Sequence, residues 1–111
     1  MAVSLATAGA VTVAALTGEL DASTAPAVQQ QLLPLAQPGA RVVLDLTAVP
    51  YMSSAGLRLL LSIYRQISAN GGKIALAGVA DEIKDTMGVT GFLKFFAVHD
   101  SVEAAVASLG A

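Results

Sequence analysis

Two adjacent hydroxyls, Ser53 and Ser54, stand in the stretch Val49-Pro50-Tyr51-Met52-Ser53-Ser54-Ala55-Gly56-Leu57. The apolar run before it, Arg41 to Leu46, reads as a buried strand, and Arg58 to Ile67 after it reads as a helix. The serines therefore lie where a strand hands over to a helix. A helix N-terminus offers backbone N–H groups without helical partners and the positive end of the peptide dipoles. Serine has two different uses there. Its oxygen can accept a hydrogen bond from the first turn and cap the helix. Alternatively, a negative group such as a phosphate is stabilised by the free amides and the dipole. The residue types alone leave both uses open.

Other chemistry is harder to assemble. His99 is the single histidine, and a Ser54–His99–Asp triad is conceivable. However, Met52-Ser53-Ser54-Ala55-Gly56 is not the Gly-x-Ser-x-Gly elbow of a hydrolase, so His99 is expected to be a surface or capping residue. Gly71-Gly72 follows a helix and precedes a strand, the reverse of the order a phosphate loop needs. Asp21, Asp45, Asp81 and Asp85 are single carboxylates without evident pairing. Asp21 and Asp45 fall near strand C-terminal ends, the side on which α/β sites gather. Asp21 can either approach Ser54 or cap its own loop. One histidine and no cysteine leave few ligands for zinc. The chain is expected to be no enzyme and to hold neither metal nor cofactor.

The elements that would position the serines follow from periodicity and turn residues. Residues 2–7 and 10–17 read as two strands joined through Ala8-Gly9, with Gly18 ending the second. Ser23 and Thr24 are cap candidates ahead of Pro26, which is tolerated only in a first helical turn. A helix through Val28 to Leu33 follows, ended or kinked by Pro34. Arg41 to Leu46 is apolar without alternation, as for a strand buried on both faces. On the helix after Ser54, a period of 3.6 residues gathers Leu57, Leu60, Leu61, Tyr64, Ile67 and Ser68 on one side. Leu59 falls opposite, among Arg58, Ser62, Arg65 and Gln66, as a surface leucine or part of a docking face. Asn70-Gly71-Gly72 stops the helix, and Lys73 to Ala77 reads as a strand. A short helix over Asp81 to Met87, a strand over Phe95 to Val98 and a helix over Val102 to Leu109, capped by Asp100 or Ser101, complete the chain. The order ββαβαβαβα implies an α/β domain: a mixed, mostly parallel sheet of about five strands with about four helices.

The 111 residues suit one domain. Hydrophobic residues make up 55% and charged residues 13%, far from the composition of a disordered chain. The net charge is −2, so nucleic-acid binding through phosphates has little support. No stretch reads as about 18 continuous apolar residues, so no membrane insertion is expected. The N-terminus lacks the basic region of a secretory signal, and a cytoplasmic location is expected.

Three blocks, Gly18-Glu19-Leu20-Asp21, Val43-Leu44-Asp45-Leu46 and Tyr51-Met52-Ser53-Ser54-Ala55-Gly56-Leu57, together resemble the STAS domain family, and within it the bacterial anti-sigma-factor antagonists. The likeness spans residues 3–109, so 1–111 is expected to be a single STAS domain. The family's motif is often Asp-Ser-Ser/Thr/Ala-Gly-Leu, and its first serine takes a phosphate. The resemblance therefore implies phosphorylation of Ser54, ahead of Ser53. Ser53 stands where the family commonly has Asp, which adds a second hydroxyl and removes a charge.

The resemblance also implies a function: regulation of sigma-factor-dependent transcription by partner exchange. The unphosphorylated antagonist would bind an anti-sigma factor with serine kinase activity, phosphorylation would release it, and a serine phosphatase would reset it. The implied partner surface takes in Asp21, Ser53, Ser54, Ala55, Gly56, Arg58 and Leu59. The protein would act as a monomer or weak dimer. Two other roles open to such a domain are an unphosphorylated adaptor subunit of a lipid-transport ATPase and a nucleotide-binding sensory module.

Overall fold

In the computed structural model, which describes residues 1–110, the chain begins as a hairpin. Strand β1 (Ala2–Ala8) returns through Gly9-Ala10 into β2 (Val11–Thr17). Gly9 adopts φ +61°, a left-handed conformation open to glycine without a Cβ penalty. There follow α1 (Ala25–Leu32), β3 (Arg41–Ala48), α2 (Ser54–Ala69), β4 (Lys73–Ala77), α3 (Asp81–Thr90), β5 (Ala97–His99) and α4 (Val102–Ser108). Short 3₁₀ turns, Leu33–Leu35 and Phe92–Phe95, continue α1 and α3. This is the expected order ββαβαβαβα. Among the described residues the five strands form one sheet, β1-β2-β3-β4-β5, antiparallel only between β1 and β2. Ala111, the last residue of the expected domain span, lies outside the described residues.

From β2 onward each crossover steps one strand in the same direction. Right-handed connections then place α1, α2 and α3 on one face of the sheet. That face carries the larger core, in which Leu16, Leu44, Leu46 and Leu76 of the strands meet Leu32, Leu60, Ile63, Ile67 and Met87 of the helices. On the opposite face Ala105 of α4 and Leu109 just after it pack against Val11, Val43, Ala75 and Ala77. Strand β3 sits between the two layers. Val42, Leu44 and Leu46 serve one core and Val43 the other, which is why its apolar run shows no alternation.

The structure corrects the face of α2. Its buried residues are Gly56, Leu57, Leu59, Leu60, Ile63 and Ile67, while Leu61 and Tyr64 are half-buried and Ser68 is exposed. Leu59 is only 4% exposed, not a solvent-facing leucine. The buried face is still one stripe, but it is rotated from the expected one: Leu59 lies one turn before Ile63, which the expected face left out, and both join Gly56, Leu60 and Ile67, with α1 closing over the Leu59 side.

The last strand is also displaced from its expected span, Phe95 to Val98. Phe92–Phe95 stays in a 3₁₀ turn, and Phe95 and Phe96 pack around Tyr64 with ring centroids 5.8 and 5.5 Å away. Only Ala97–His99 then pairs with Ala75–Ala77. Likewise α3 runs past the expected Met87 to Thr90, where Gly91 caps it at φ +81°.

Because Leu59 is enclosed, Leu59→Ala is expected to lower stability by about 2–5 kcal/mol, the cost of a core truncation. Urea unfolding checks this, and a loss below about 0.5 kcal/mol would return Leu59 to the surface.

Candidate functional site

The site begins at the C-terminal ends of β2 and β3, where both strands outrun their ladder. The Gly18 amide donates to the Ala48 carbonyl at 3.0 Å, and the Leu20 amide to the Tyr51 carbonyl at 3.0 Å. Leu20 and Met52 form an isolated parallel bridge, and the Ser53 amide donates to the Leu20 carbonyl at 2.9 Å. Leu20 is fully buried and Met52 nearly so. The first residues of α2 are thereby pinned to the loop between β2 and α1. Gly56 lets them come this close, since a Cβ there would sit 2.7 Å from the Leu20 carbonyl oxygen and 2.7 Å from Met52 Cγ.

The two serines divide their uses. Ser53 holds the N-cap position with an extended backbone, and its hydroxyl accepts from the Gly56 amide at 3.4 Å. Ser54 is the first helical residue. It is exposed, and its hydroxyl has no hydrogen-bond partner among the described residues. The ambiguity left by the residue types is thus resolved for the cap: Ser53 takes it.

Asp21 lies one residue beyond Leu20, so the fold does bring it to this end of the molecule. Its carboxylate is occupied locally. Oδ1 accepts from the Ser23 hydroxyl at 2.7 Å, the Ser23 amide at 2.9 Å and the Thr24 amide at 3.1 Å. These donors, with the Ser23 hydroxyl foremost and the Thr24 amide next, hold Asp21 below the ordinary aspartate range. Asp21 makes no hydrogen bond to Ser54 among the described residues, so the loop-capping alternative is the one observed. Thr24 stands at the N-cap of α1 but does not cap it with its side chain. Its hydroxyl accepts from the Asp21 amide at 3.0 Å and donates to the Glu19 carbonyl at 3.1 Å. Pro26, with no N–H to offer, removes one of the donors such a cap would serve.

Of the remaining candidates, Ala55 is half-buried and Arg58 exposed, and both line a cleft of about 340 Å³ between α1 and α2. Gly56 and Leu59 are buried, Leu59 forming part of the cleft wall. The cleft adds residues that sequence reasoning missed: Ala22, Ala25, Pro26 and Gln29 from α1 and its approach, and Ser62 from α2. Their signal was the run of small residues around Pro26, uninformative until α1 is known to face α2. Tyr51, 53% exposed beside the serines, was also passed over.

His99 ends β5, two strands from β3, and its Nε2 is buried without a hydrogen-bond partner among the described residues. The triad conceivable in sequence is not assembled. Asp45 is likewise local, its Oδ1 accepting from the Thr47 hydroxyl at 2.6 Å and amide at 3.0 Å.

The model of the STAS domain family matches residues 2–105. The chain belongs to the STAS domain family. This STAS domain is 34% identical over 97 residues to BtrV of Bordetella bronchiseptica, a match covering 86% of the chain and 84% of that protein. It is 32% identical over 87 residues to the anti-sigma-B factor antagonist of Staphylococcus aureus, covering 78% and 81%. Its fold matches that of an anti-sigma-factor antagonist STAS domain protein from Planctomyces limnophilus with a TM-score of 0.88 at 18% identity, over 97% of each chain. No helix among the described residues of this STAS domain is long and apolar enough to cross a membrane.

Two measurements check the local geometry. Ser53→Ala is expected to cost about 0.5–1 kcal/mol, the low end for a cap given its long bond, and Ser54→Ala under about 0.5 kcal/mol. Equal losses in thermal unfolding would mean that the cap is shared. For Asp21, a folded-state value below the unfolded one means that its contribution to stability is present above the ordinary aspartate range and is lost as pH falls through the lowered value. An NMR titration should place the Asp21 midpoint below that range, and Ser23→Ala should raise it part of the way back, since the Ser23 and Thr24 amides still donate.

Proposed function

We propose that this chain is an anti-sigma-factor antagonist whose switch is phosphorylation of Ser54. One observation carries the reading: the hydroxyl of Ser54 stands exposed on the first residue of α2, with no hydrogen-bond partner among the described residues, while Ser53 does the capping. The kinship with bacterial anti-sigma-factor antagonists supports it. The whole span 1–111 acts as one domain, in the cytoplasm, by binding rather than by catalysis. Its partner is an anti-sigma factor with serine kinase activity, and a serine phosphatase restores the hydroxyl. Ser54, Ala55 and Arg58 with Asp21 form the contact surface, and the cleft beside them receives partner side chains.

The physics of the switch separates fold from complex. A phosphate adds about −1.5 to −2 charges and strong acceptor oxygens. On the first residue of a helix it meets free amides and the dipole, so the domain keeps its fold. In an interface the same group must be desolvated or face like charge. Two unit charges about 4 Å apart at an effective dielectric near 20 interact by roughly 4 kcal/mol. Repulsion of that size weakens binding by nearly three decades, at about 1.4 kcal/mol per decade.

The test is intact mass with site mapping after incubation with ATP and candidate anti-sigma kinases. One phosphate on Ser54, with loss of the complex on a sizing column, is the expected result. Ser54→Glu should unfold at the wild-type midpoint and bind its partner at least about tenfold more weakly. A phosphate on Ser53 instead, or a phosphorylated protein that still binds, would refute the assignment. No modification together with stable binding to a transporter ATPase would favour the adaptor role.

A further inference from the structure

Strand β1 closes one side of the sheet without a neighbour of its own among the described residues, and it lacks the features that usually guard such an edge. Its seven residues, Ala2-Val3-Ser4-Leu5-Ala6-Thr7-Ala8, include no charge and no proline. Its ladder with β2 runs in unbroken register from Ala2↔Thr17 to Ala8↔Val11, with no bulge to twist the edge away. Leu5, at its centre, is 54% exposed.

The register fixes which backbone groups are free. Ala8 and Val11 close a two-residue loop, so they form a hydrogen-bonded pair of the hairpin. Alternation along an antiparallel ladder then turns Ala6, Ser4 and Ala2 towards β2 as well, and leaves the N–H and C=O groups of Val3, Leu5 and Thr7 directed outwards. Those three side chains share the face of β2's Leu16, Ala14 and Thr12.

From Leu5 outwards the strand matches itself. Ser4 and Ala6 are both small, Val3 and Thr7 have the same shape, and Ala2 and Ala8 are identical. We infer that β1 is a self-association edge, and that a second copy of this chain pairs with it antiparallel about a two-fold axis through Leu5. Leu5 then faces its symmetry mate, and Val3 faces Thr7 of the second copy on either side. All three are outward-directed residues, so the pairing forms about six backbone hydrogen bonds. The exposed leucines cover each other, and two five-stranded sheets join into one of ten. This goes beyond the Ser54 reading and uses none of its residues.

The chain has no cysteine, which allows a direct test. Leu5→Cys would place two thiols across the axis with Cα atoms about 5.5 Å apart, within disulfide reach. Ser4→Cys, at a residue that is also exposed, would leave its two Cα atoms more than about 7 Å apart, because Ser4 faces Ala6 of the second copy. Under mild oxidation Leu5→Cys is expected to give a disulfide-linked dimer at least about tenfold faster than Ser4→Cys. Sedimentation equilibrium of the unmodified chain should show a dimer growing with concentration, and Leu5→Lys should raise its dissociation constant at least about tenfold while the circular dichroism spectrum stays unchanged. A monomer at every concentration, equal crosslinking of the two cysteines, or a dimer indifferent to Leu5→Lys would each overturn the inference.

Discussion

The carbonyl of Leu20 holds the functional end of the molecule together. It accepts the Ser53 amide at 2.9 Å, and the missing side chain of Gly56 leaves room for it at the start of α2. A buried carbonyl without a partner is costly, and one pressed against a Cβ would force the backbone apart. Helix α2 therefore begins at one place and in one direction relative to the β2–α1 loop. Leu57, Leu60, Ile63 and Ile67 reach the core from that starting point. The orientation that exposes Ser54 follows from it.

Most of the architecture is legible in the residues. The unbroken apolar run of β3 marks a central strand, and Pro26, Pro34 and the Asn70-Gly71 turn mark helix limits. What periodicity alone does not fix is which flank of a helix its neighbours cover. The apolar residues Leu57, Leu61 and Tyr64 suggest a stripe centred on one flank, whereas the buried stripe runs through Leu59, Leu60, Ile63 and Ile67, with α1 against its Leu59 side. The short last strand was obscured for a related reason. Phe95 and Phe96 have strong strand character, yet their rings are claimed by Tyr64 of α2. Long-range packing overrode local preference in both cases.

The serine pair shows where local chemistry stops being sufficient. Both hydroxyls suit an N-cap by type, and their adjacency gives no ranking. The Leu20–Ser53 backbone bond sets the register, because it holds Ser53 in the extended conformation a cap requires. Asp21 was similarly open in sequence. Its loop answers with three short donors from Ser23 and Thr24, which satisfy the carboxylate before it can reach α2.

The separation of Ser53 from Ser54 has a consequence for mutational drift. Residue 53 is tied to folding, since changing it to anything but another capping residue such as aspartate or asparagine forfeits a helix cap. The side chain of residue 54 makes no hydrogen bond among the described residues, and alanine, threonine or aspartate would each fit at the start of the helix, aspartate with a small gain from the dipole. Selection for a stable chain therefore has little hold on a serine there. A serine maintained at that position would be held there by what its hydroxyl does to other molecules.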